Sequence, residues 1–440
     1  MEVNSSWMGP ALVAFTVLVA FRYSRLLGNL TGAAFYRPFP IPAHPAITCR
    51  DCTVIMPIVD LGNPHLEQCI RSILRNRIQA LFLVTVGTQY RNRLHDLISE
   101  LRFEFPNTVI HVGALPKANK RSQIAHAIPQ VTTGITILSD DCVFWPNRFL
   151  TAALAPFTDS HVGGVGTNKR IRRDATGFGW ESFWGFLESV YFEALNYETR
   201  ATNAIDGSVS VIGGQTALYR TNIVQTPEFL DAFQNEYFFF GKCGPIAAGD
   251  DNFITRWLFQ HDWRIGIQST GNACVEIPTS TASQFISHCD RRSRNSWRSD
   301  VTMLFCTPKL WKHYSWGTYA IHLSNLFNFP LFYDAALIIS FAFTGYGTEM
   351  PWLFAVLVTG IFLTKLAKAV PVLLQSPMDV VFIPGLIIFD YLLTFLKLKT
   401  LFTSCNKHWG GRRVADLEDG PRDEIGWIWG DGHGMWVLLS

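Results

Sequence analysis

Only 16% of the 440 residues are charged, against roughly 25% in an average soluble protein, and 14% are aromatic, a balance that points to a membrane. The length suffices for one large domain or two ordinary ones with full cores. The net charge of +2 is uninformative, but no basic block is large enough for a nucleic-acid footprint, and no nucleic-acid partner is expected.

Residues 8–21 are almost wholly apolar and run into Arg22, Arg25 and Arg37. No positive region precedes them and the positive charge follows. This predicts a transmembrane helix within residues 1–30, with the N-terminus extracellular and the rest inside. Asn4-Ser5-Ser6 is then a glycosylation sequon on the outer side. From 45 to 300 the chain reads as a cytosolic α/β domain. Short apolar runs at 53–58, 81–86, 108–112 and 135–138 alternate with helical stretches at 64–79 and 118–128. That rhythm predicts βαβ units, a mostly parallel sheet, and ligand-binding loops at the strand ends. Residues 301–318 mix apolar residues with Lys309, Trp311, Lys312, Tyr314 and Trp316, the pattern of an interfacial helix. Residues 319–345, 351–372 and 379–402 are long enough to span, a hydrocarbon core needing roughly 20 residues. They form a C-terminal transmembrane region, 319–402, whose third stretch is broken by Pro384-Gly385. The tail, 403–440, is polar and predicts little regular structure. Nine scattered cysteines read as reduced cytosolic thiols.

Two acidic pairs stand out. Ser139-Asp140-Asp141 follows an apolar run, so both carboxylates sit at a strand's C-terminal end. Adjacent carboxylates repel unless a cation lies between them. The pair either holds Mg²⁺ or Mn²⁺ against a nucleotide diphosphate or makes a solvated turn. Gly249-Asp250-Asp251 precedes an amphipathic run. One of its carboxylates caps that helix or deprotonates an acceptor hydroxyl. Lys117, Lys120 and Arg121 form a basic set, and Arg291, Arg292, Arg294 and Arg298 another. Both suit diphosphate oxygens, and the second also suits lipid headgroups. Gly213-Gly214 lies in a small-residue turn that either admits a ligand to the backbone or simply turns.

An acidic turn, a second acidic pair, an arginine cluster and then membrane helices resemble the processive family 2 glycosyltransferases, among them the hyaluronan, chitin and cellulose synthases. The nearest resemblance is to the fungal type 2 glycosyltransferases of surface polysaccharide. It runs from about residue 50 to 413 and is carried by 116–123 (PKANKRSQ), 139–146 (SDDCVFWP), 161–170 (HVGGVGTNKR), 203–207 (NAIDG), 213–220 (GGQTALYR) and 249–251 (GDD).

The resemblance implies a GT-A type nucleotide-sugar-binding domain, a UDP-sugar donor, a polysaccharide acceptor and a plasma-membrane enzyme in contact with membrane lipids. It places Asp60, Lys117, Lys120, Arg121, Asp140 and Arg291 at the donor and makes Asp141 the metal ligand. It makes Asp251 the catalytic base and puts Gly214, Gln215, Asp250 and Trp297 at the acceptor. Ser139 departs from the family's first metal-motif aspartate. His288-x-x-Arg291-Arg292 stands in place of Q-x-x-R-W, so the acceptor-stacking Trp is absent and Trp297 is the substitute nearby. Trp409-Gly410-Gly411-Arg412 looks like the loop that closes over the donor. That loop must be cytosolic, which requires an even number of crossings between 300 and 409. The Pro384-broken stretch is therefore expected not to cross simply. Two other expectations remain open: one sugar passed to a membrane lipid, or an inactive scaffold.

Overall fold

The computed structural model describes residues 5–173, 177–239 and 241–405. Asn4, Trp409 and Arg412 lie outside the described residues, so the sequon and the loop over the donor are not addressed below. Backbone contacts divide the chain into two units. One comprises Met1–Arg37, Arg173–Ser208 and Thr279–Ser404. The other comprises Pro38–Arg172, Val209–Pro278 and Cys405–Ser440. In chain order the helices used below are α1 (Ser5–Phe35), α2 (Leu66–Leu74), α3 (Gly87–Glu104), α4 (Lys120–Ala127) and α5 (Phe149–Ala153). They continue with α6 (Trp180–Asp206), α7 (Pro227–Gln234), α8 (Asp250–Gln260), α9 (Ala282–Cys306), α10 (Pro330–Phe343), α11 (Pro351–Ala367) and α12 (Ile383–Phe402).

The α/β unit is built on an eight-stranded sheet. Its strands are β1 (Cys52–Pro57), β2 (Ala80–Val86), β3 (Val109–Leu115), β4 (Ile135–Ser139), β5 (Val162–Arg172), β6 (Thr216–Arg220), β7 (Arg264–Gln268) and β8 (Cys274–Pro278). They lie in the order β3-β2-β1-β4-β6-β5-β7, with β8 also pairing with β5. β1, β2, β3 and β4 run parallel, whereas β6 is antiparallel to both β4 and β5. Every residue of β1 and β2 is buried, as expected of strands covered on both faces. The four apolar runs read as strands fall on β1 to β4. α4 is buttressed from within: the buried Gln123 amide donates to the carbonyls of Ile58 and Val84, at 3.3 and 2.8 Å. This satisfies two carbonyls where β1 and β2 end and fixes the start of α4 beside the strand ends.

The antiparallel strand matters most for function. A parallel strand brings the residue after it to the sheet's C-terminal edge. An antiparallel strand brings the residue before it to that same edge. The loop Gly213–Gln215 therefore arrives beside Asp140, whose N–H donates to the Gln215 carbonyl at 2.9 Å.

The second unit is helical. Residues 173–208 and 279–300, which the sequence reading assigns to the cytosolic domain, pack here instead. The reason is their aromatic faces. Phe186, Leu187 and Val190 of α6 and Phe285 of α9 share one apolar cluster with Val372 and Leu386. Among the described residues two helices are long and apolar enough to cross a membrane, Trp7–Phe35 and Pro377–Phe402. Ser315–Phe327 with Pro330–Phe343 makes a third if that pair, bent by 89°, is one span. The interfacial pattern expected at 301–318 carries exposed Phe305 and Trp311. An ion network joins four helices. The Asp334 carboxylate of α10 meets Arg22 of α1 and, at 3.1 Å each, Lys365 of α11 and the Tyr391 hydroxyl of α12. Lys365 also pairs with Asp390 of α12 at 2.7 Å.

The expectation of reduced thiols fails at two cysteines of the α/β unit. Cys243 and Cys405 form a disulfide, with Cα atoms 5.1 Å apart, a separation well inside bridging range. These two are not reduced thiols.

Candidate active site

The site is assembled from three loop-to-element junctions of the α/β unit. At the end of β4, Asp140 turns a part-exposed carboxylate toward α4, while Asp141 is turned inward and is 1% exposed. The Asp141 carbonyl accepts from the Asn63 amide at 3.0 Å. Its charge is felt by the Cys69 thiol, which burial first and Asp141 second push up to about 12. Asp140 is thus the more accessible of the two carboxylates.

Asn119 caps α4: its side chain accepts from the N–H groups of Arg121 and Ser122, at 3.0 and 3.3 Å. This sets Lys120 as the first helical residue. Its ammonium lies between two carboxylates, 2.9 Å from Asp140 and 3.1 Å from Asp250. Burial works against that charge, but Asp140 and then Asp250 outweigh it, and Lys120 is held protonated, above its ordinary value. Asp250 shifts upward too. Its burial dominates, Lys120 opposes, and the neighbouring Asp251 and Asp140 add to the rise.

Neither aspartate of the second pair caps α8. Gly249 occupies the cap position in a left-handed conformation, φ 73°, and makes no side-chain bond. Asp250 and Asp251 therefore both stand in the first turn, where the helix dipole favours negative charge. Asp251 Oδ1 accepts from the backbone and side-chain nitrogens of Asn252, at 2.9 and 3.0 Å. Oδ2 accepts from the Gly214 N–H at 3.2 Å. A Cβ on Gly214 would stand 3.0 Å from that same oxygen, so the absence of a side chain is what admits the carboxylate. The junction is tied underneath: Thr255 donates its hydroxyl to the Asp251 carbonyl at 2.7 Å and accepts from Ile212 N–H at 3.0 Å.

The structure thus brings together Lys120, Asp140, Gly214, Gln215, Asp250 and Asp251. Asp60 follows β1 and is exposed, its carboxylate accepting from Gly62 N–H at 2.8 Å, and Lys117 is exposed before α4. Arg121 corrects the sequence reading. It is 2% exposed, and its guanidinium donates to the carbonyls of Phe233, Ala248 and Gly249 and to Glu236, with no side left for a donor sugar. Phe233 and Phe253 cover its faces. Arg121 fixes the loop that delivers α8. Arg291 and Trp297 lie on α9 of the helical unit. The Trp297 indole donates to the Lys397 carbonyl at 3.1 Å and packs on Phe329. The His288 ring packs between Tyr191 and Phe192. Lys169 is the residue the sequence reading missed: its ammonium lies against Gly213. The signal was present in the stretch 161–170, but nothing in a strand pattern marks which lysine faces a loop 44 residues on.

As a metal centre the site offers hard oxygen donors, the set that suits Mg²⁺ or Mn²⁺. Among the described residues no three His, Cys, Asp or Glu gather as a ready-made cage. Asp140 with Asp250 or Asp141 fits a cation whose remaining ligands are phosphate oxygens and water.

Residues 53–295 match the family described as glycosyltransferase like family 2. A type 2 glycosyltransferase of Gibberella zeae is 34% identical over 93% of this chain and 77% of its own length. Human hyaluronan synthase 3 is 28% identical over 46% of this chain and 33% of its own. Among solved structures, a mannosyltransferase from Pyrobaculum calidifontis, in complex with GDP-Man and Mn²⁺, superposes with a TM-score of 0.54 at 14% identity. That match covers 91% of this chain and 99% of that one, a likeness of fold. The sheet is of GT-A type, and the chain belongs to the family 2 glycosyltransferases.

Proposed function

We propose that the protein transfers a sugar from a UDP-sugar, with inversion, to a growing surface polysaccharide, and that its membrane helices export the chain. The observation that carries this is the Asp251 carboxylate, held by Gly214 and Asn252 beside a lysine flanked by two further aspartates. Asp251 Oδ2 takes the proton of the acceptor hydroxyl, whose oxygen forms a bond to the anomeric carbon as the bond to the diphosphate oxygen breaks. A single displacement of this kind inverts the anomeric centre. Lys120 has three N–H donors and spends two on Asp140 and Asp250, which leaves one for the departing diphosphate. Asp140 and, as the family resemblance implies, Asp141 would hold Mg²⁺ or Mn²⁺, which would neutralise diphosphate charge; of the two carboxylates Asp140 is the accessible one. Gln215 and Asp250 flank the acceptor side, and Asp60, Lys117 and Arg291 serve the donor, as the family resemblance implies. The similarity to hyaluronan synthase supports a polysaccharide product, and the plasma-membrane location and cytosolic catalytic unit belong to this proposal as what the family resemblance implies.

The test is transfer from a panel of radiolabelled UDP-sugars by the full chain in lipid nanodiscs with Mn²⁺, products being sized by gel filtration. Large product from one donor is expected. Arg292 in the place of the motif tryptophan, and Trp297 engaged by Lys397 and Phe329, favour a second reading in which one sugar passes to a membrane lipid. Short, lipid-extractable product would establish that reading instead.

A further inference from the structure

The opposite edge of the sheet carries a second, unassigned feature. Thr48–Arg50 precede β1, Arg75–Arg77 join α2 to β2, and Asn147–Thr151 enter α5. Together they line an open surface cavity of about 800 Å³, in which all four arginines are exposed. Because β1 and β2 are parallel and begin here, the cavity lies at their N-terminal ends. β1 alone is six residues long, so about 20 Å of strand separates this edge from the acidic centre.

Four arginines, Arg50, Arg75, Arg77 and Arg148, line this space, and no carboxylate stands among its described lining residues. The nearest carboxylate in sequence, Asp51, is turned to cap Thr48, accepting from its N–H and hydroxyl at 2.8 and 2.9 Å. Cys49 in the lining is kept a neutral thiol, its burial pushing it upward. Arg50 donates to the carbonyls of Ile78 and Asn107, which fixes its fork in place. Arg77 sits at φ 57°, a left-handed position just past the end of α2. That position ordinarily takes glycine or asparagine, and an arginine there is strained. The backbone is therefore strained at the residue that adds a cation to a cavity already holding three others. A space of this size fits a small molecule rather than a bare ion.

We propose that this cavity is a binding site for a phosphorylated small ligand, its phosphate oxygens gripped in pairs by Arg77, Arg148 and Arg50. The site is separate from the donor centre and does not depend on the reaction proposed there. The Thr151 hydroxyl and the Asn147 amide would serve the non-phosphate part. A lipid headgroup and a soluble phosphate ester present the same chemistry.

The experiment is calorimetric titration of the full chain in phosphatidylcholine nanodiscs containing EDTA, so that no metal–diphosphate complex forms. Two probes are used, inorganic pyrophosphate and dioctanoyl phosphatidylinositol 4-phosphate. The variant Arg77→Gly with Arg148→Gln removes two guanidiniums, and glycine at 77 suits the backbone. Arg91→Gln with Arg93→Gln on α3 is the charge-matched control. The expected result is binding weakened at least tenfold in the cavity variant and less than twofold in the control. Pyrophosphate binding lost in this way identifies a soluble ligand, and loss confined to the phosphoinositide identifies a headgroup. Absence of binding by both probes, or equal weakening in both variants, overturns the proposal.

Discussion

At Asp251 the geometry asks for very little space, and that sets the sharpest tests. Asp251→Asn keeps an oxygen for the Gly214 N–H but removes the base. Transfer should fall by about 10²–10⁴-fold with donor binding retained. Undiminished turnover in that variant would remove Asp251 from the mechanism. Gly214→Ala pushes a methyl toward Oδ2 from an open loop, so turnover should fall by about 10²-fold while the unfolding temperature stays within a few degrees. Both quantities are measured on the same nanodisc preparation. The gathering of these residues was legible only through the family resemblance, because acidic pairs after an apolar run or before an amphipathic one serve equally as solvated turns and helix caps. What was not legible is orientation. Asp140 and Asp141 are neighbours of like charge, and only the register of β4 decides that one faces Lys120 while the other turns toward Cys69.

Among the elements, β2 and β3 supply a pH-dependent contact remote from catalysis. His111 of β3 stacks on Phe82 of β2, ring centres 4.4 Å apart, and is 7% exposed. Burial first, then the nearby Arg102, lowers it to about 4. The folded state therefore favours neutral His111. Its contribution to stability is complete above the unfolded value of about 6.5, is lost as pH falls from there, and levels off below about 4. In thermal unfolding between pH 7 and 4, His111→Phe should lose less stability than the wild type; parallel curves would refute the assignment. Elements were readable where their apolar runs were uninterrupted, as in β1 to β4. β6 was not, since Gly213-Gly214 before it reads as a turn and a five-residue antiparallel strand leaves little period to detect. The helical allegiance of α6 was hidden for a different reason. Its aromatic face signals burial without saying which partner covers it.

Over the whole molecule, the fold class and the apolar helices at either end of the described chain follow from composition, whereas the number of crossings does not. The sequence offers three C-terminal apolar stretches. The folded chain bends the first by 89° and packs Leu386 of the third against α6 and α9. Polar residues in these stretches find their partners in one another. Lys365→Met would remove the cation that Asp334 and Asp390 share, leaving Arg22 on the first and Lys368 on the second, at a cost below the roughly 3–5 kcal/mol of a buried charge left wholly unpaired. The expected outcome is a markedly lower unfolding temperature in detergent, with Asp390→Asn in the same background recovering part of it. No change in either variant would show that the ion network contributes nothing.

Arg121 has a consequence for anyone ranking residues by loss of function. It stands next to Lys120 in the chain, yet its six-way engagement with Phe233, Glu236, Ala248, Gly249 and two phenyl faces makes it a joint between segments more than a hundred residues apart. An inactivating substitution there would be mistaken for a lesion in sugar chemistry. It would be distinguished by temperature: such a variant should regain turnover in the cold, whereas a true loss of the base at 251 should be equally inert at every temperature.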